Sequence, residues 1–505
     1  MTENAAARIA EGYAFEGAAI ELGSVVIDGR ADAGARVRIP LGMMNRHGLV
    51  AGATGGGKTK TLQLISEQLS AAGVPVFLAD IKGDLSGVAA AGTQNDKISA
   101  RATETGDDWA ATAYPTQFFA IGGEGNGIPL RATITSFGPT LLSKVLELND
   151  TQESSLELIF HYADKAGLAL LDLKDLQAVI THLTSAEGKA DLEGIGGLSK
   201  ATAGVILREL SGLSDKGGDK FFGEPEFDTA ELLQTVEGKG VINVVELAAL
   251  QDRPELFSTF LMWLLADLHH ELPEVGDLDK PKLAFFLDEA HLLFNGASKA
   301  FLDAVTQTVR LIRSKGVGVF FCTQNPTDLP NAVLGQLGNR VQHALRAFTP
   351  DDATALAKAV KTYPRSEDYD LEKALTTLGI GEAIVTVMSE TGAPTPVAWT
   401  RLRAPRSLMA QLDPAEQTRL VQASPLAEKY GESIDRDSAY ERLAKRMEKA
   451  PEPEKKAEPA RRQKDSGGMI GGVLKSKAFQ QFTRQAARSL GREVTRGLFG
   501  TARRR

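Results

Sequence analysis

Residues 47–80 read HGLVAGATGGGKTKTLQLISEQLSAAGVPVFLAD, and the order of the segments decides the fold. A short apolar run passes into a glycine cluster. The cluster opens a segment with apolar residues at helical spacing, which stops at Gly73 and leads into a second apolar run closed by Asp80. Strand, loop, helix and strand in that order form the crossover unit of a parallel α/β sheet. At its centre Gly52–Thr59, GATGGGKT, satisfies G-x-x-x-x-G-K-[ST] in the setting that gives the pattern meaning. Gly52, Ala53, Thr54, Gly55, Gly56 and Gly57 make a loop whose N–H groups can turn inward around a phosphate. The helix start behind them adds partial positive charge. Lys58 is spaced to reach the β- and γ-phosphates, and Thr59 to set its hydroxyl on a cation. ATP and Mg²⁺ are the expected cofactors.

The acids such a site needs stand in LAFFLDEAHLLF, residues 283–294. Asp288 and Glu289 follow an apolar run, at the strand end where parallel sheets present ligands. There Asp288 would hold Mg²⁺ through water and Glu289 would orient the attacking water. The same pair also suits the N-terminus of a helix. Gln324 closes the next apolar run, GVGVFFCTQ (316–324), where it would sense the γ-phosphate or sit as a satisfied polar strand end. Cys322 reads as packing and His291 as structural. DIKGD, Asp80–Asp84, lies near the γ-phosphate or a polymer channel if its strand borders residues 282–288, and is an ordinary turn otherwise.

The remaining chain divides by pattern. An N-terminal β segment (1–45) precedes the first stretch of ATPase core (46–139), and a run of helical patterns without strands marks an all-α insertion (140–235). The core resumes over 236–403 and ends in a hairpin around Thr391 and Gly392, followed by a helical extension (404–449). A Pro/Glu/Lys linker (450–472) cannot support a core. The segment 473–505 carries an amphipathic helical pattern. Phe482, Ala486, Leu490, Val494 and Leu498 form one stripe, and Arg484, Arg488, Arg492 and Arg496 another. The fold class expected is α/β, a RecA-like P-loop core with a mainly parallel sheet, an N-terminal hairpin, the insertion and a basic tail.

Charge is segregated along the chain. The 14 Lys/Arg and five Asp/Glu from Pro451 onward give the tail +9, leaving −17 on the rest of a chain of net charge −8. A tail of that kind is expected to have its own partner: another copy of the chain, nucleic acid, or less readily an acidic membrane. One cysteine excludes an internal disulfide and a cysteine-based zinc cluster. No apolar run approaches a membrane span, and the acidic start lacks signal-peptide character, so a cytoplasmic setting is expected.

The letters DEAH at Asp288–His291 name a helicase family, but its companions are missing. QLGNR (336–340) imitates the second-domain arginine motif poorly, and no second sheet's worth of strands follows. GATGGGKT, DIKGD, FFLDEAH, VRLIRSKGVGVFFCTQNPTDLP and LGQLGNRVQHALRAF, in that order, instead resemble the HerA–FtsK superfamily of ring ATPases. Among these the chain is most similar to the bacterial HerA-like (YjgR-type) family, over roughly residues 17–403.

The resemblance implies an ATP-hydrolysing motor, a hexameric homo-oligomer, and a DNA translocase or helicase-like activity. It implies catalytic roles for Glu289 and Gln324 and an arginine supplied in trans, for which Arg310 and Arg313 match and Arg340 stands second. Helix surface charge is the plainer account of the two arginines. The short N-terminal segment and the large insertion depart from archaeal HerA. With the acidic body, they leave a slow nucleotide-dependent switch or scaffold as the alternative.

Overall fold

Apolar runs that do not alternate belong to strands covered on both faces, and this chain is rich in them. The computed structural model describes residues 2–192, 196–276, 278–294 and 299–449. In chain order the strands are β1 (Ala19–Ile27), β2 (Arg30–Pro40), β3 (Gly48–Ala51), β4 (Val76–Asp80), β5 (Thr116–Ile121) and β6 (Ile128–Leu130). Then come β7 (Thr235–Val236), β8 (Lys239–Gly240), β9 (Ile242–Glu246) and β10 (Leu283–Leu287). The last four are β11 (Val317–Thr323), β12 (Asn339–Gln342), β13 (Glu382–Thr386) and β14 (Ala398–Leu402).

Twelve of them share one sheet, ordered β2-β1-β14-β13-β12-β3-β11-β10-β4-β9-β5-β6, while β7 and β8 pair as a small ribbon. From β12 to β6 every pairing is parallel. From β12 outward to β2 every pairing is antiparallel. The N-terminal hairpin is therefore the margin of the central sheet, with Gly23 opposite Leu402. The hairpin around Thr391 and Gly392 is β13–β14.

Although the central strands are apolar throughout, their side chains still part by twos. Phe77, Phe285, Val319 and Phe321 face one core, and Val76, Leu78, Ala284, Phe286, Phe320 and Cys322 the other. Leu62, Ile65 and Leu69 of the helix Lys58–Ala71 cover the second face. The first face takes Trp263 and its neighbours from the helix Pro254–Glu271, together with the helical insertion.

Insertion helices run at Ile134–Val145, Asp150–Lys165, Leu173–Leu183, Ala186–Asp191 and Lys200–Asp215. Reciprocal caps start two of them, Asn149 with Gln152 and Asp172 with Asp175. Asp175 also accepts the Tyr440 N–H at 2.8 Å, which fastens the C-terminal extension to the insertion. Among the described residues no helix is long and apolar enough to cross a membrane. The linker and tail helix expected beyond residue 449 lie outside the described residues.

Candidate nucleotide site

Strand order sets the site. β3, which carries the glycine loop, pairs with β11, and β11 pairs with β10. The loop, Gln324 and the Asp288–Glu289 pair therefore leave three adjacent parallel strands at the same edge. β4 borders β10 on the far side, so the DIKGD loop joins them there.

Gly57 begins the helix Lys58–Ala71 at φ 115°, where a Cβ would be strained, and no side chain caps this end. Its first-turn N–H groups thus point outward with positive potential, as phosphate binding requires. Lys58 is buried and donates to the carbonyls of Gly52 (2.6 Å) and Ala53 (3.3 Å), so its ammonium already spans the loop mouth. No group of three or more His, Cys, Asp or Glu among the described residues could hold a metal alone.

A residue not singled out from sequence braces the loop from behind. His343 follows β12, donates its backbone N–H to the Ala51 carbonyl (2.7 Å), and precedes Ala344, whose carbonyl accepts the Ala53 N–H (2.7 Å). Its Nδ1 lies 2.9 Å from the Glu382 carbonyl, which can only accept. Nε2 is therefore the acceptor for the Thr61 hydroxyl at 2.8 Å. A Cβ at Gly52 would come 2.5 Å from His343 Cβ, so glycine there answers a close approach. Burial pushes the imidazole down to about 4 and keeps it neutral.

Asp288 is buried, and burial raises its carboxyl above the ordinary range, against a hydrogen bond from the Cys322 thiol. Cys322 thus packs and also touches the acid beside it. Glu289 adopts φ 45°, a left-handed conformation that costs a residue with a side chain roughly 1–3 kcal/mol. That turn directs its carboxylate to Lys82, which is ion-paired to Oε1. Oε2 is buried without a hydrogen-bond partner, although His291 Nδ1 lies 3.3 Å away. Burial works to raise the Glu289 carboxyl, but Lys82, His291 and Lys58 outweigh it and hold it below the usual value.

Asp80 closes the turn at the start of the DIKGD loop: its oxygens accept the Gly83 N–H (2.8 Å) and the Leu85 N–H (2.9 Å). Burial raises its carboxyl to about 6. Gln324 is exposed just beyond β11, and Thr59 half-buried in the first turn of its helix. Arg310 and Arg313 are exposed, just before β11 begins. They lie at the opposite edge of the sheet, a strand length of roughly 20 Å from the loop. Arg340 sits within β12 and donates to the carbonyls of Leu337, Leu334 and Thr362 of its own chain.

Sheet order, glycine loop and strand-end acids together define a P-loop ATPase. The family described as "Helicase HerA-like C-terminal" matches residues 26–505, and the chain belongs to that family. Solved structures of a plasmid coupling protein share the fold. The plasmid coupling protein TrwB in complex with the non-hydrolysable ATP analogue ADPNP is 15% identical, with TM-score 0.52, covering 81% of this chain and 94% of that one. TrwB in complex with ADP and Mg²⁺ is 16% identical, with TM-score 0.51, covering 79% and 98%. VirB4 of Thermoanaerobacter pseudethanolicus is 15% identical, with TM-score 0.47, covering 77% and 98%. Among curated proteins no sequence match accompanies these.

Proposed function

We propose that the protein hydrolyses ATP as a ring-forming motor on DNA. One observation carries this reading: the glycine loop, the Asp288–Glu289 pair and Gln324 leave the adjacent strands β3, β10 and β11 at one edge. Gly52–Gly57 and Lys58 would hold the phosphates, and Thr59 and Asp288 the magnesium ion, which supplies charge neutralisation between the phosphates. Glu289 would orient water through Oε2, the oxygen that accepts no hydrogen bond. Gln324 would report the γ-phosphate.

The two arginines stand a strand length from their own site, which supports their service to a neighbouring subunit. An arginine of that kind contributes roughly 10³–10⁵ in rate. An isolated subunit would then turn over slowly, and a hexamer would be the working form. Cytoplasmic placement and tail docking on the ring belong to the same proposal.

Mass in solution with and without ATP, then ATPase rates with single- and double-stranded DNA, form the test. Nucleotide-dependent assembly and DNA-stimulated hydrolysis are expected. If assembly occurs without stimulation or low-salt DNA binding, the DNA element of the proposal falls and a nucleotide-dependent scaffold takes its place.

A further inference from the structure

The loop from Ile81 to Ala89 presses on the site more closely than its distance in sequence from the strand-end acids suggests. Lys82 and Glu289 are 207 positions apart, yet Lys82 Nζ is ion-paired to Glu289 Oε1. Lys82 is 43% exposed along its side chain and Glu289 only 6%, so the pair stands at the mouth of the site. The left-handed backbone at Glu289 turns the carboxylate, Lys82 occupies one oxygen, and the other oxygen has no hydrogen-bond partner. A carboxylate held by one oxygen has lost the rotation that would otherwise scatter its free lone pairs.

The loop itself is fixed from two sides. Inside, Asp80 accepts the N–H groups of Gly83 and Leu85. Outside, residues 406–412 run across it as a strap. Leu412 N–H donates to Ser86 Oγ at 3.0 Å, and a Cβ at Gly87 would come 2.2 Å from the carbonyl oxygens of Leu408 and Ala410. The strap's other end is bound to the helix that starts at Lys58. Glu67 accepts the N–H groups of Arg406 (2.8 Å) and Ser407 (3.0 Å), and Gln63 donates to the Leu408 carbonyl at 3.0 Å. This one short crossing thus sets the distance between the phosphate-binding helix and the loop that carries Lys82.

We infer that Lys82 is the positioning residue for Glu289, clamping Oε1 so that Oε2 faces the attacking water. The inference rests on the hydrolytic reading above and names the group that aims its base. The alternative consequence of the same contact is a brake, in which Lys82 neutralises the base until it is removed. The second oxygen accepts no hydrogen bond and has only the longer approach of His291 Nδ1 at 3.3 Å, which favours positioning, because a brake would tie up both oxygens.

Two measurements on the full chain test it. Pulse acetylation with acetic anhydride, read by peptide mass spectrometry, reports the pair without any turnover. Lys82 is expected to label several-fold faster in Glu289→Gln than in the wild type, and equal labelling overturns the pair. In steady-state ATPase assays, Lys82→Met is expected to lower kcat by roughly 10–100-fold, in the range seen when supporting contacts are lost. KM and the affinity for a fluorescent ATP analogue should stay within about twofold, and Lys82→Arg should recover most of kcat. A rise in kcat would make Lys82 a brake, a rise in KM would make it a phosphate ligand, and an unchanged kcat would make it surface charge; each overturns the inference. A wild type without turnover defeats the hydrolytic reading instead, and the labelling result still decides the pair.

Discussion

Lys58 holds its charge over the loop through two carbonyls, whereas Glu289 holds its own beneath an ion pair, so removing them has different effects. Lys58→Ala is expected to weaken ATP binding on the order of 100-fold or more, since charge-assisted bonds to phosphate are lost. Glu289→Gln should bind ATP as the wild type does while kcat falls by roughly 10²–10⁴. Isothermal titration beside a phosphate-release assay separates the two, and equal loss of affinity in both would refute the assignment. A second expectation concerns pH. His47 is buried at φ 56°, accepts the Val319 N–H at Nδ1 (3.0 Å), and burial pushes it down to about 4. A depressed base stabilises the fold above its unfolded value near 6.5, and that contribution fades as pH falls through about 4. The loss is up to about 3 kcal/mol. Asparagine tolerates positive φ and offers an acceptor, so His47→Asn should show a shallower fall in Tm between pH 6.5 and 4 than the wild type.

Single elements show how far the sequence could be read. The helix Lys58–Ala71 and strands β3, β4, β10 and β11 were legible because glycine, apolar periodicity and chain order all agree locally. The glycine loop and the Asp288–Glu289 pair were placed with them, because each directly follows one of those strands. His343, Lys82 and the strap 406–412 were not legible in their roles. Each acts on a partner set by topology, 282, 207 and about 340 positions away, and nothing in local spacing announces such a partner. Asp80 was ambiguous for the same reason, until its loop closed on its own carboxylate. Glu67 gives the strap a direct test. Burial raises its carboxyl against the hydrogen bonds from Ser407 and Arg406. Glu67→Ala leaves those N–H groups and the Ser407 hydroxyl without their acceptor, and should destabilise by about 3 kcal/mol. Chemical denaturation measures it; an unchanged midpoint would show the strap held by backbone packing alone.

The whole molecule places Arg310 and Arg313 at the strand ends opposite its glycine loop, so a complete site needs two copies if those arginines serve it. Arg310→Ala and Lys58→Ala should each be inactive alone. Mixed in equal amounts and allowed to exchange, they should recover a measurable fraction of wild-type hydrolysis, because one subunit supplies the arginine and the other the loop. Absence of recovery from freely exchanging mixtures would remove Arg310 from that role. The sheet has a further consequence, one of timing. β3 is made early but sits between β11 and β12, which the ribosome delivers about 270 residues later, and β1 waits for β14. A nascent chain therefore carries its phosphate loop through most of its synthesis with no flanking strands to fix it. Closure of so many distant pairs makes for slow folding, and it postpones nucleotide capture until nearly the entire ATPase has emerged.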